Sequence, residues 1–92
     1  MTITKIQNYI DGEWVDSDTA VYGDVRCPAN GQQIATVPYG TRQDVDAAVA
    51  AAKAAFDEWR ETPPMSRARY LFQIKEAFEE NFEEIAMTLT RE

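Results

Sequence analysis

TRQDVDAAVAAAKAAFDEWRE, residues 41–61, decides how the rest of this chain is read. Val45, Ala48, Val49, Ala52, Ala55, Phe56 and Trp59 recur at offsets of 0, 3, 4, 7, 10, 11 and 14. That spacing draws one stripe along an α-helix, and no alternating strand fits it. The start is marked by Thr41, whose hydroxyl can accept the backbone N–H of Asp44. Asp44 stands where the acid of a capping box reaches back. The end is marked by Pro63 and Pro64, which cannot continue a helix. On the opposite face Ala47, Ala50, Ala51 and Ala54 lie among Asp46, Lys53, Asp57 and Glu58. Alanine's helix propensity alone accounts for such a face. The alternative is a smooth surface that packs against material this short chain does not itself supply.

Beyond the Pro63-Pro64 break, Leu71, Ile74, Phe78, Phe82, Ile85 and Leu89 form a second helical stripe, flanked by Ala68 and Ala86. Thr62 is the expected N-cap, with Pro63 at the first helical position. Asn81, with Glu84 three residues on, could cap a new helix. The stripe passes Asn81 without changing phase, so a helix over 63–91, continuous or slightly kinked near 81, is expected.

Before residue 41 the pattern is that of strands. Asp11-Gly12 between Ile10 and Glu13 is a two-residue hairpin signal of type I′. In that register Tyr9 lies opposite Trp14, and the aromatic pair pins the hairpin. The polar run DSDTA, 16–20, reads as a loop. A second hairpin is expected from Val25-Arg26-Cys27 through Pro28-Ala29-Asn30-Gly31 and back along 33–37. Pro38 either stops that strand or confines it to an edge. Two hairpins need a cover to be stable in water, and the helix at 41–61 is the expected one.

Ninety-two residues make at most one small domain. The hydrophobic share of 45%, with two Trp, four Tyr and four Phe, argues against disorder. A formal charge of −7 disfavours nucleic acid and anionic membranes as partners. The acidic balance serves solubility. It also suits a high-salt habitat, which a melting temperature that stays flat as salt is added would exclude. No histidine is present, which removes imidazole as base or zinc ligand. Cys27 is the single cysteine, so no internal disulfide forms and a reducing, cytoplasmic setting is expected. Met1 to Lys5 opens no signal peptide, because no apolar run follows.

The residues that could carry chemistry are few. Glu76, Glu79, Glu80, Glu83 and Glu84 share the helical face opposite the second stripe. Carboxylates so spaced can bridge Mg²⁺ or Ca²⁺, but neither a calcium loop nor a Glu-x-x-His pair accompanies them. A solvated acidic face is the simpler reading. Cys27 lies in an expected strand beside Pro28, without a base, which suits a small strand residue better than a nucleophile. Arg67 and Arg69 could grip a phosphate or carboxylate, although surface ion pairs are the commoner use. No Gly-rich phosphate loop occurs, and Asn30-Gly31 reads as a turn.

Taken in order, the segments resemble a known family. NYIDGEWV (8–15) is followed by CPANGQQIATVP (27–38), DVDAAVAAAKAAFDEW (44–59), TPP (62–64), RARYLF (67–72) and EEIAMTLTRE (83–92). This series is similar to the N-terminal part of the aldehyde dehydrogenase superfamily over essentially all 92 residues. Among its branches it looks most like the acylating methylmalonate-semialdehyde dehydrogenases, on VPYGT (37–41) and RARYLF. Cys27 departs from the family, which commonly has Asn there.

The resemblance implies an α+β segment, two β-hairpins (1–40) and two long helices (41–61 and 63–91). It implies that 1–92 form a single segment, part of the cofactor-binding domain of a larger α/β enzyme. In that family the catalytic cysteine, the glutamate base and the cofactor loops lie further along the chain. Cys27 does not match the cysteine motif, so no catalytic, cofactor-binding or metal-binding residue is expected within 1–92. After Thr90-Arg91-Glu92 the family pattern continues, so the sequence resembles a piece of a longer enzyme. For that enzyme the resemblance implies NAD, oxidation of an aldehyde or semialdehyde through an enzyme thiol, and release of the acyl group to water or coenzyme A. A homo-oligomer is implied as well, as is packing of the alanine-rich helix on the rest of the fold. The competing reading is a stand-alone acidic helical module, without catalysis, that oligomerises or docks on a basic partner. By itself the chain is expected to self-associate through its apolar helix faces or to be partly molten.

Overall fold

The computed structural model describes residues 2–92; Met1, part of the stretch read above for a leader, lies outside them. A two-residue strand β1 (Thr4–Lys5) precedes the hairpin of β2 (Asn8–Ile10) and β3 (Glu13–Val15). Asp11 and Gly12 turn that hairpin with φ of 55° and 77°. Positive φ at both central residues is the type I′ requirement, met here by Asp and Gly. The register places Tyr9 opposite Trp14, and the two rings pack with centroids 4.9 Å apart.

The second hairpin joins β4 (Tyr22–Arg26) to β5 (Gln33–Pro38). Its turn is closed by Gly31 N donating to Cys27 O at 2.8 Å and Cys27 N donating to Gln32 O at 2.9 Å. Gly31 has φ of 72°. Val25 pairs with Ala35 and Arg26 with Gln33, so Ile34 forms a bulge.

One pairing was not expected. β1 joins β5 in parallel, giving a three-stranded sheet in the order β1-β5-β4. Residues 1–40 are therefore two hairpins plus a strand that docks on the second of them. β5 is central and not an edge. Pro38 is tolerated because it is the last residue of β5, beyond Ala35 and Thr36 where β1 pairs.

The helix α1 (Arg42–Trp59) begins with the expected capping box. It approaches β2 and none of the strands of the larger sheet. The expected cover over both hairpins is thus corrected to contact with the first alone. Tyr9, Ile10, Asp11 and Gly12 face Ala48, Ala51, Ala52 and Ala55 across a shallow cleft. Small side chains admit the hairpin there, while Val45, Val49, Phe56 and Trp59 stay 45–59% exposed.

The helix α2 (Pro64–Glu80) starts one residue later than expected, with Pro63 and not Thr62 at its N-cap. A proline disfavours helical backbone in the residue before it, and Pro63 has ψ of 146°. Thr62 instead closes α1, its N–H donating to Trp59 O at 3.0 Å. Trp59 and Tyr70 pack across the turn, centroids 5.6 Å apart. Asn81, at φ −109° and ψ 21°, separates α2 from α3 (Phe82–Arg91). Its backbone N–H and its side-chain amide both donate to Ala77 O, at 3.1 and 2.8 Å. That double claim on one carbonyl is the local competition that Asn brings to a helix. Ile85 N still donates to Asn81 O at 3.0 Å, and the apolar stripe carries on into α3.

These elements share little interior. Ser17, Gly23 and Ala35 are the residues buried among those described. The accessible surface is 7770 Å², against about 5,400 Å² for a compact monomer of this mass. The radius of gyration is 16.9 Å, against about 12 Å for a compact chain of this length.

Candidate functional site

Two features stand out once the elements are placed. One is a polar clasp at the N-terminus of α1. Thr41 Oγ1 accepts from Asp44 N at 3.2 Å, and Thr41 N donates to Asp44 Oδ2 at 3.0 Å. The loop before β4 closes on this pair. Ser17 Oγ donates to Asp44 Oδ2, and Thr41 Oγ1 donates to Asp18 Oδ1 at 2.6 Å. Thr19 N completes the set by donating to Ser17 Oγ at 3.1 Å. The capping box was legible from the spacing of Thr41 and Asp44. The partners Ser17 and Asp18 were not, because DSDTA carries no period and reads only as a polar loop.

The Ser17 hydroxyl first, and then the backbone N–H of Thr41, hold the Asp44 carboxyl below the ordinary carboxylate range; slight burial opposes them. A carboxyl whose folded pKa is lowered contributes stability above its unfolded pKa. That contribution is lost as pH falls through the folded value. The clasp is therefore expected to be intact at neutral pH and to loosen only in acid, below the ordinary aspartate range. Hydrogen exchange at the Thr19 and Thr41 amides checks this. Protection should fall in acid for the native chain, and Asp44→Asn should remove the pH dependence. Protection that is unchanged through the acid range would refute it.

The clasp is not a phosphate site. The N–H of Asp44 is taken by Thr41, and the Asp44 carboxylate occupies the place an anion would need. The start of α2 offers two prolines without N–H groups.

The other feature is apolar. Along α2 and α3, Leu71, Ile74, Phe78, Phe82 and Leu89 are 53–71% exposed. Phe78, Phe82, Ile85, Ala86 and Leu89 line a concavity there, together with Glu79. Nothing polar in this hollow can polarise a bond or move a proton except the Glu79 carboxylate at its margin. Lys75 Nζ holds that carboxylate at 2.7 Å.

The remaining sequence candidates fall apart in space. Glu76, Glu80, Glu83 and Glu84 are exposed along α2 and α3. Among the described residues, no group of three or more His, Cys, Asp or Glu side chains is placed to hold a metal ion. Cys27 is half-buried at the end of β4, tied by its backbone into the turn. Arg67 and Arg69, expected in surface ion pairs, form none among the described residues; the pairs that do form are Lys5–Asp16, Arg26–Asp24, Arg60–Glu61 and Lys75–Glu79. No described helix is long and apolar enough to cross a membrane.

Comparison with known proteins gives this surface a context. The model of the aldehyde dehydrogenase family matches residues 14–92. Malonate-semialdehyde dehydrogenase 1 of Geobacillus thermodenitrificans is 46% identical over 90 residues, which is 98% of this chain and 19% of that protein. Malonate-semialdehyde dehydrogenase 2 of Oceanobacillus iheyensis is 43% identical over 91 residues, 99% of this chain and 19% of its own length. A crystal structure from Sinorhizobium meliloti 1021, described as a methylmalonate-semialdehyde dehydrogenase and complexed with NAD, superposes with a TM-score of 0.96 at 32% identity. It covers 99% of this chain and 18% of its own. The aldehyde dehydrogenase of Mycobacterium tuberculosis complexed with NAD⁺ gives a TM-score of 0.85 at 36% identity, over 98% of this chain and 19% of that one. The chain spans about a fifth of the length of these relatives.

Proposed function

This chain belongs to the aldehyde dehydrogenase family, as a counterpart of the N-terminal part of its members, and we propose that it serves an NAD-dependent semialdehyde dehydrogenase. The substrate class proposed is malonate or methylmalonate semialdehyde, with coenzyme A as acyl acceptor. The observation that carries this reading is a match to malonate-semialdehyde dehydrogenases over 98–100% of the chain, at 46% identity for two of them. The solved relative of nearly the same shape, with NAD bound, supports the nicotinamide cofactor.

The role proposed for these residues is structural. The segment belongs to the cofactor-binding domain and covers it, while residues outside 1–92 bind NAD and perform the chemistry. The absence of histidine from the sequence fits that division. The exposed stripes on α1, α2 and α3 fit a surface made to be covered. A homo-oligomer in the cytoplasm completes the proposal, and the lone, half-buried Cys27 suits a reducing compartment. A stand-alone interaction module has no support in the comparisons, which align nearly the whole chain with enzymes.

The test begins with the intact mass of the natural gene product, expected to be several times the 10.4 kDa of this chain. That product should reduce NAD when given malonate or methylmalonate semialdehyde, and should form an acyl-coenzyme A when coenzyme A is present. No reduction with either substrate would overturn the assignment.

A further inference from the structure

We propose that Asn30, at the tip of the β4–β5 turn, is a site of spontaneous modification, and that the hydrogen bonds of the turn set its rate. The inference rests on the turn alone and stands apart from the proposed function.

The chemistry is intramolecular. The Gly31 backbone nitrogen attacks Asn30 Cγ; the N–Cγ bond forms and the Cγ–Nδ2 bond breaks. The Gly31 N–H proton leaves with the side-chain nitrogen as ammonia, and a five-membered succinimide remains. Water then opens the ring. Opening at Cγ gives aspartate at position 30. Opening at the backbone carbonyl gives isoaspartate, whose main chain runs through Cβ and is longer by that carbon. Nothing is oxidised or reduced, and solvent water is the co-reactant.

The sequence contains three asparagines, and Asn30 alone precedes glycine. Asn8 precedes Tyr9 and Asn81 precedes Phe82, whose side chains crowd the attacking nitrogen. Asn8 lies in β2, and Asn81 gives its amide N–H to Ala77 O. Asp11-Gly12 has the glycine but carries a carboxylate, a poor electrophile at neutral pH. Asn30 and Gly31 are both exposed, so water reaches the pair. Glycine suits position 31 through its φ of 72°, since a Cβ there would meet nothing within 4 Å.

The folded turn restrains the reacting groups. Gly31 N donates to Cys27 O at 2.8 Å, which keeps the proton on the nucleophile. Asn30 Oδ1 accepts from Gln32 N at 2.9 Å, which fixes the carboxamide in an Asx turn. Arg26 Nη1 donates to Gly31 O at 3.1 Å and latches the tip. Attack needs the first two bonds open, which slows it by roughly ten- to a hundredfold against a free peptide. The two products leave different turns. Aspartate at position 30 still offers an oxygen to Gln32 N. Isoaspartate lengthens the chain inside the turn and breaks the closing bond from Cys27 N to Gln32 O, at 2.9 Å.

The experiment ages the natural gene product and the free peptide 24–34 side by side in mildly alkaline buffer. Peptide mapping by mass spectrometry follows each asparagine. An aspartate-specific protease separates the products, because it cuts before aspartate and not before isoaspartate. The expected result is conversion at Asn30 with Asn8 and Asn81 intact, at a rate roughly ten- to a hundredfold below that of the peptide. Arg26→Ala should speed the folded chain about threefold or more and leave the peptide's rate unchanged. Asn30→Asp should melt with the native chain, whereas material rich in isoaspartate should lose amide protection at Cys27 and Gln32. Equal rates in chain and peptide overturn the proposal, as does an Arg26→Ala chain that ages like the native one. An Asn30 still wholly intact after more than about a hundred half-lives of the peptide overturns it too. Conversion at Asn8 or Asn81 ahead of Asn30 overturns the choice of site.

Discussion

Studied by itself, the 92-residue chain is expected to bind a hydrophobic dye, to keep helical circular dichroism and to melt without a sharp transition. The reason is the ratio of interior to surface. Ala35 is the one buried hydrophobic side chain among the described residues. Nineteen large hydrophobic residues among those described are at least 40% exposed, from Ile6 at that value to Met65 at 76%. Ordering a residue costs about 1–2 kcal/mol of backbone entropy, and burial at about 25 cal/mol per Å² offsets it only where apolar area leaves water. The helices keep local hydrogen bonds and their caps, so secondary structure outlives tertiary order. Dye fluorescence, thermal circular dichroism and solution scattering check the outcome together. A steep reversible melt with a scattering radius near 12 Å, the compact value, would contradict it. Association would appear as a concentration-dependent mass and would sharpen the melt as copies cover one another. Joined to the remaining part of a family enzyme, the same residues should melt with the whole protein, and dye binding should disappear.

The second large effect is expected at Ala35. It lies on the central strand β5, opposite Thr4 of β1 on one side and Val25 of β4 on the other. Ala35→Asp places a carboxylate at the only buried hydrophobic position described, beside Ile6, Val25 and Ile34, which line the same hollow. Arg91, at the end of α3, lines that hollow too and could offset part of the cost. An unpaired charge buried in such surroundings costs several kcal/mol, on the order of 3–5. With residues 1–92 joined to the remaining part of a family enzyme, this should appear as a lowered denaturant midpoint and loss of amide protection at Ile6 and Val25. Ala35→Ser, similar in size and able to bond locally, should cost about 1 kcal/mol or less. Equal midpoints for the native chain and Ala35→Asp would mean that the β1-β5 seam is open to water.

Local rules were written in residues that stand close together. Asp11-Gly12 turned the first hairpin, and its register brought Tyr9 against Trp14 as expected. Thr41 and Asp44 closed a capping box at the spacing that predicts one. Where the reading slipped, two local signals competed. Thr62 looked like an N-cap, but Pro64 forced Pro63 out of the helix and moved the cap to Pro63. The stripe ran through Asn81, yet the Asn81 side chain and backbone shared one carbonyl and opened the helix there.

The amino-acid sequence by itself determined the periods, the turns, the start of the first helix and, through ordered short motifs, the family. All of these depend on residues a few positions apart, or on their order. Only the tertiary structure decided that β1 docks in parallel on β5, that the 16–20 loop clasps the α1 terminus through Ser17 and Asp18, and that α1 meets one hairpin and leaves the larger sheet alone. These contacts join residues 23 to 46 positions apart, and no short-range pattern encodes which polar loop or short strand will reach which end. The destination of the apolar stripes lies further off still. Their spacing shows that they are to be covered; what covers them depends on a surface that residues 1–92 do not make among themselves.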